Sequence, residues 1–321
     1  MIKYSIKRLI WTVPVILGVL FIVFFFQAVS PDDPVDQILR GGATEAEKAV
    51  VRAQLGLDKP IPTQFFNYVW GFATRGDLGT SYISKQPITH ELMVRFPVTM
   101  RLTFFSILLG ICIGIPLGLI ASIKQYSLVD SAILAFAVLA SSVPGFWFGL
   151  MLISLFAVRL GWLPAMGIME WKGWILPTLA VSVVSMSGLI RITRASMLEV
   201  IRQDYIRTAK AKGQKLSVIA IKHGLRNALI PIIATVGNSL GLQLGGALAI
   251  ESIFGVPGIG KYAVDGITNR NYPAVLGSVV ILAIVFIIVN LLVDLAYTVV
   301  DPRIKTTFAQ SAFFKRKESS Q

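Results

Sequence analysis

Six runs of apolar residues, each close to the length that crosses a bilayer as helix, constrain this 321-residue chain more than any other feature. A hydrocarbon core takes about 20 residues at helical rise. The runs are Leu9–Val29, Leu102–Ser122, Ser131–Val158, Trp174–Ile190, Leu229–Ile250 and Val275–Val300. In lipid the backbone must satisfy its own hydrogen bonds, so such runs predict helices and an all-α integral membrane protein. An apolar fraction of 55% with 15% charged residues excludes an ordinary soluble domain and a disordered chain. The third run carries Ser141-Ser142-Val143-Pro144-Gly145 at its middle and predicts a kink there, because proline removes a helix donor. Basic residues before the first run resemble the start of a signal peptide. Its apolar stretch of about 20 residues exceeds the usual 7–15, so an anchor is expected.

Charge orients the spans. With the N-terminus inside, the inner segments hold 18 basic and 5 acidic residues, while the outer segments hold 11 of each. Arg101 and Asp294 cancel. The formal net charge of +13 therefore falls on one face, as the positive-inside rule expects. Both termini are placed in the cytoplasm, and nucleic acid is not needed to explain the basic balance. The expected organisation is residues 1–29 as inner N-terminus and first helix, 30–101 as an extracytoplasmic insertion, 102–300 as a five-helix core, and 301–321 as a cytoplasmic tail. Short helices are predicted near Glu45–Leu55 and Pro62–Phe72.

A basic loop, residues 191–228, joins the fourth and fifth spans. Ser196-Met197-Leu198-Glu199 has capping-box spacing. Met197, Val200, Ile201, Tyr205 and Ala209 follow at helical intervals. Gly213 sits where a C′ glycine ends a helix, after Lys210 and Lys212. A second helix is predicted from about Ser217 into the fifth span. Composition alone is satisfied by a basic helix resting on anionic lipid.

Spacing adds more. Ala209, Gly213 and Leu225 stand where the inner-loop pattern of ABC importer permeases has its alanine, glycine and leucine. Arg207, His223 and Arg226 replace its glutamate, isoleucine and proline. The stretches Arg191–Val200, Gln203–Gly213 and His223–Pro231 resemble the loop of oligopeptide/dipeptide importer permeases. So do Leu55–Pro60, Gly76–Ser81, Ser142–Phe146, Glu251–Gly260 and Arg270–Pro273, with Asn271 where the family more often has aspartate. The motif order is that of the B-type subunit, and nickel and glutathione importers share it. The resemblance implies a type I ABC importer permease fold with six transmembrane helices. It implies pairing with a second, C-type permease, two ATPase subunits and an extracytoplasmic substrate-binding protein in a bacterial or archaeal cytoplasmic membrane. ATP and magnesium then belong to the ATPases, and this chain binds no cofactor and catalyses no reaction. The cargo it implies is oligopeptides or dipeptides, with nickel chelate or glutathione as the alternative.

The docking set expected on the ATPase is Asp204, Tyr205, Arg207, Ala209 and Gly213. Polar residues within spans face a bundle or a water-filled path. Asn238, Ser239, Gln243 and Asn290 are therefore candidates for lining the pathway, with interhelical hydrogen bonding as the equal alternative. Glu251, Phe254, Pro257 and Gly258 are candidates for an outer gate or a binding-protein contact. Gly110, Gly114 and Gly118, and Gly237, Gly241 and Gly245, form small-residue faces suited to helix packing. Gly255–Tyr262 mimics a phosphate loop but ends in tyrosine where serine or threonine must reach magnesium, and is rejected as one. His90 and His223 lack motif partners. An intramembrane enzyme would need acids, histidines or a serine–lysine pair at bilayer depth, and a secondary transporter an internal repeat; neither pattern is found.

Overall fold

The computed structural model describes the backbone of residues 2–29, 34–39, 43–215 and 218–300. The tail 301–321 and the side chains of Lys3, Lys7, Arg8 and Asp294 lie outside what is described. Among the described residues twelve α-helices follow in order: α1 (Ile2–Val29), α2 (Pro34–Ile38), α3 (Glu45–Leu55), α4 (Ile61–Arg75), α5 (Ile88–Ile123), α6 (Leu128–Ser142), α7 (Gly145–Leu152), α8 (Ile175–Ile201), α9 (Asp204–Ala211), α10 (Arg226–Ile253), α11 (Ile259–Thr268) and α12 (Tyr272–Val300). Wider π-helical turns continue α7 over Ile153–Arg159 and precede α10 over Ile219–Leu225. Among the described residues the extended backbone amounts to one bridge, Thr80 with Pro87.

Four continuous helical stretches are long and apolar enough to span: Ile88–Ile123, Trp171–Ile201, Ile219–Gly245 and Tyr272–Val293. A fifth span is α6 with α7, bent by 101° at Val143-Pro144, where the sequence predicted a kink. Pro144 holds Val143 in extended backbone (φ −90°, ψ 126°), which ends α6. The described apolar part of α1 is Val13–Phe26. Among the described residues, four helices and the broken pair thus meet the length and apolarity that crossing requires, and the sixth span rests on α1.

The chain forms two compact units. The first comprises residues 1–103, 149–177 and 244–287. Its core joins Leu20 and Phe24 of α1 to Leu78, Ile88 and Leu92, and to Ile259, Leu276 and Val280. Two motifs distant in sequence meet here. Gly76 ends α4 in left-handed backbone, and the Asp77 Oδ1 accepts from the Gly79 amide at 2.8 Å. That turn brings Ser81 to Asn271, which is buried. Asn271 accepts from the Tyr82 amide at 3.0 Å and donates to the Ser81 hydroxyl at 2.8 Å. An aspartate could accept from both groups, because the serine hydroxyl can reverse its role.

The second unit comprises residues 104–148 and 178–243 and the described residues from 288 onward. Here α5 lies against α8 along the face of Gly110, Gly114 and Gly118. A Cβ at Gly118 would stand 2.6 Å from the Ile190 carbonyl oxygen, and one at Gly114 2.8 Å from the Leu189 Cβ. This small-residue face packs within the chain. Gly237 likewise abuts Val293, whereas Gly245, in the other unit, faces open space.

Replacing Asn271 by leucine strands the buried Ser81 hydroxyl and Tyr82 amide, at a cost of about 1–3 kcal/mol. SDS titration of the purified chain in mixed micelles should show that loss, with Asn271→Asp closer to wild type. Equal losses in both variants would contradict the assigned roles of the amide.

Candidate functional site

The loop between α8 and α10 is built outward from a paired charge. The capping box read at Ser196 does not start a helix. Ser196 is buried inside α8, which runs on to Ile201 rather than ending near Ile190. The helix continues because Arg194 has a partner. Its Nε donates to Asp130 Oδ1 at 2.6 Å and its Nη2 to Oδ2 at 2.7 Å. Asp130, in the first turn of α6, is fully buried. Its Oδ2 also accepts from the Tyr126 amide at 3.0 Å, and Tyr126 takes left-handed backbone (φ 64°) to make that turn. The Ser127 hydroxyl caps α6 by accepting from the Asp130 amide at 3.3 Å. Bidentate geometry and several donors per carboxylate are what such burial requires. The α5–α6 turn is thereby fastened to the end of α8.

The chain breaks after Ile201, and α9 starts at Asp204, whose carboxylate favours the helix N-terminus. Ile206 and Ala209 face inward and pack on Ile219 and Val200. The opposite face is exposed and carries Asp204, Tyr205, Arg207 and Lys210. Arg207 lies 3.7 Å from Asp204 with both side chains solvated, so the pair adds little stability. The Tyr205 hydroxyl accepts from Asn227 Nδ2 at 2.8 Å, tying α9 to the start of α10. His223 Nε2 lies 3.1 Å from Gln214 Oε1, which makes it a brace of the same loop. Gly213 follows α9 with φ 74°, and its amide donates to the Lys210 carbonyl at 2.9 Å. A Cβ there would meet no atom, so the demand for glycine is one of backbone conformation. Of the docking set, then, Asp204, Tyr205, Arg207 and Gly213 stand at the surface, and Ala209 seats the helix.

The polar residues of the fifth and sixth spans divide. Asn238 is exposed, and Ser239 and Asn290 are half-buried. Gln243 is buried and donates to the Ser185 hydroxyl at 2.8 Å, an interhelical bond between α10 and α8.

The Glu251–Gly260 motif is a clamp. Glu251 is completely buried at the end of α10. It accepts from the Thr99 hydroxyl at 2.7 Å and from the Lys261 amide at 3.0 Å, while Thr99 Oγ1 accepts from the Ile259 amide at 2.9 Å. The carboxylate thus occupies the N-terminus of α11, where a phosphate loop would hold its anion. A Cβ at Gly258 or Gly260 would meet that carboxylate. Glu251, Phe254 and Gly258 are buried within the chain, and Pro257 is the exposed member of the four. Sequence reading missed the Asp130–Arg194 pair. Its one signal was an acid and a base at the inner ends of apolar runs.

Models of two families match the sequence. "Binding-protein-dependent transport system inner membrane component" covers residues 114–306, and its N-terminal companion covers 1–103. The chain is 39% identical over 305 residues to the glutathione transport system permease protein GsiC of Pectobacterium atrosepticum, covering 95% of this chain and 99% of that one. It is 37% identical over 306 residues to the protein of the same name from Escherichia coli K12. The fold is similar to that of the MetNI methionine ABC transporter in inward-facing crystal forms, with TM-scores of 0.58 and 0.55 at 19% identity. The first alignment spans 66% of this chain and 96% of that one.

Removing Arg194 leaves the buried Asp130 carboxylate unpaired, and removing Asp130 leaves the partly exposed Arg194 without its acceptor, so each single change is destabilising. In SDS titrations, Asp130→Ala combined with Arg194→Ala should be less damaging than the two singles added together, with a coupling energy of about 1 kcal/mol or more. Strict additivity would contradict the pairing.

Proposed function

The chain belongs to the family of binding-protein-dependent transport system inner membrane components, and on that premise we propose that its α8–α10 loop is the part that receives force from an ATPase. The protein is a multi-pass membrane protein and the permease subunit of a binding-protein-dependent ABC importer. In the proposed arrangement both termini and α9 lie in the cytoplasm, where the excess of 13 basic charges falls. A second permease completes the pathway. Two ATPase subunits bind and hydrolyse ATP with magnesium, and a binding protein delivers cargo to the outer face.

The observation that carries this reading is the mounting of α9. One face is locked to its own chain through Ile206 and Ala209. The other presents Tyr205 with acidic Asp204 and basic Arg207. A short helix held this way moves as a lever with the ends of α8 and α10. A push on its exposed face reaches the spans through Tyr205–Asn227 at one end and through α8 to Arg194–Asp130 at the other. Tyr205 supplies rigid contact area at low entropic cost, a property favoured in protein interfaces. Asp204 and Arg207 set register on the partner more than affinity.

Short peptides are the proposed cargo, glutathione among them. Support comes from the curated relatives named as glutathione permeases, which match 95% of the chain. Asn238 and the half-buried Ser239 and Asn290 are the proposed polar contacts along the path, with Gln243 holding the helix that carries the first two.

An L-residue at the left-handed Gly213 costs about 1–2 kcal/mol, and a β-branched one more. Gly213→Val should therefore leave the chain in the membrane while lowering ATP-driven glutathione or peptide uptake by about tenfold, the equivalent of 1.4 kcal/mol. Uptake into vesicles holding the reconstituted complex measures this, and wild-type uptake by the variant would contradict the coupling role. Vesicles holding this chain alone should neither hydrolyse ATP nor accumulate peptide. Turnover by the pure chain would overturn the assignment of ATP hydrolysis to partners.

A further inference from the structure

We propose that the exposed aromatic face of α4, carrying Phe66 and Trp70, is a lipid-contact surface that lies in the outer-leaflet interface beside α1. "Outer" rests on the orientation proposed above; the contact with lipid does not.

Depth is the first argument. The Phe65 ring of α4 meets Phe21 and Phe24 of α1 edge-on, with centroids 6.0 and 5.5 Å apart, and Tyr68 meets Phe24 at 5.6 Å. Phe24 and Phe21 stand five and eight residues before the end of α1 at Val29. At helical rise that is about 8 and 12 Å back along the span. The described apolar stretch of α1 is Val13–Phe26, so Phe21 and Phe24 lie inside it, about 8 and 3 Å from its end, and α4 is held level with hydrocarbon or headgroups, not above them.

The distribution of residues around α4 is the second. One arc, with Phe65, Tyr68, Val69 and Phe72, packs into the core that includes α1. The adjoining arc, about 80° wide at 100° per residue, holds Pro62, Phe66, Trp70 and Ala73. Phe66 is 63% and Trp70 60% exposed, and their rings stack at 6.1 Å with 12° between planes. The next arc holds exposed Thr63, Asn67 and Thr74. A helix in water beside a protein would place polar residues next to its buried face. This one places aromatics there and polar groups beyond, the order met in passing from span through lipid interface to water.

Continuity is the third. The α1 residues at this level are also exposed and apolar: Phe21 at 57%, Phe25 at 53% and Phe26 at 68%. Lipid that covers that stretch of α1 reaches the Phe66–Trp70 stripe without a break. Tryptophan and neighbouring aromatics are favoured at this boundary. Anchored there, α4 holds the segment between α1 and α5 against the membrane.

The test is nitroxide accessibility in the reconstituted complex. In a Cys112→Ser background, which removes the chain's single cysteine, spin labels are attached at Phe66→Cys, Trp70→Cys and Asn67→Cys. The complex is placed in phosphatidylethanolamine/phosphatidylglycerol vesicles, and co-purification of its subunits establishes folding of each variant. Labels at 66 and 70 should collide with oxygen several-fold more readily, relative to a water-soluble nickel chelate, than the label at 67. Their depth should be about 5–10 Å below the phosphates. Nickel accessibility at 66 and 70 equal to that at 67 would overturn the proposal in favour of an aqueous surface. Exclusion of both reagents would overturn it in favour of a protein contact, with the second permease or the binding protein. These readings are independent of what the complex transports, so a wrong cargo or coupling assignment leaves the outcome unchanged.

Discussion

The ion pair between Asp130 and Arg194 is the interaction on which the loop architecture depends. A guanidinium this far along an apolar helix would ordinarily mark the end of a span. Paired bidentately with a buried carboxylate, it lets α8 continue for seven more residues, from Arg194 to Ile201. That extension places the break before Asp204, and with it α9, at a fixed distance from the bundle. A well-packed apolar pair could be as stable as a buried salt bridge. What the ion pair adds is direction: two hydrogen bonds of 2.6 and 2.7 Å fix the rotation of α8 relative to the α5–α6 turn.

The two units use the same device at different places, a buried polar group that closes a joint between segments far apart in sequence. In the first unit Asn271 joins the Gly76–Ser81 turn, and Glu251 gathers Thr99 and the first amides of α11. In the second, Asp130 gathers Arg194 and Tyr126. Such groups are costly in an apolar surrounding unless fully bonded, so each joint tolerates little slippage. Within the second unit, glycine faces such as Gly110–Gly118 let backbones touch. Rigid joints and close helix contacts suit a protein that transmits a push rather than absorbing it.

Much of this was legible in the sequence because lipid allows few solutions. The apolar runs located the spans, Pro144 located the break, and Gly213 located a left-handed turn that only glycine makes without strain. Helix ends were less legible. The four-residue pattern at Ser196 met the capping rule, but capping needs a helix end, and the pairing of Arg194 with a residue 64 positions away accompanies a helix that runs on through it. Gln243 could equally line a path or bond a neighbour, and Ser185 decided it. Glu251 read as a candidate for an outer gate or a binding-protein contact, because nothing local reveals that Thr99 arrives from another helix. In each case the missing information was a long-range partner for a polar side chain.

The central claim is that the exposed face of α9 meets an ATPase. The most direct measurement is photo-crosslinking from benzoylphenylalanine placed at position 205 in the assembled complex in native membranes, with position 206 as the inward-facing control. The account predicts one protein adduct at 205, identified by mass spectrometry as an ATPase subunit, and none at 206. Adducts at 205 confined to lipid would contradict it and leave α9 as a basic helix resting on the membrane.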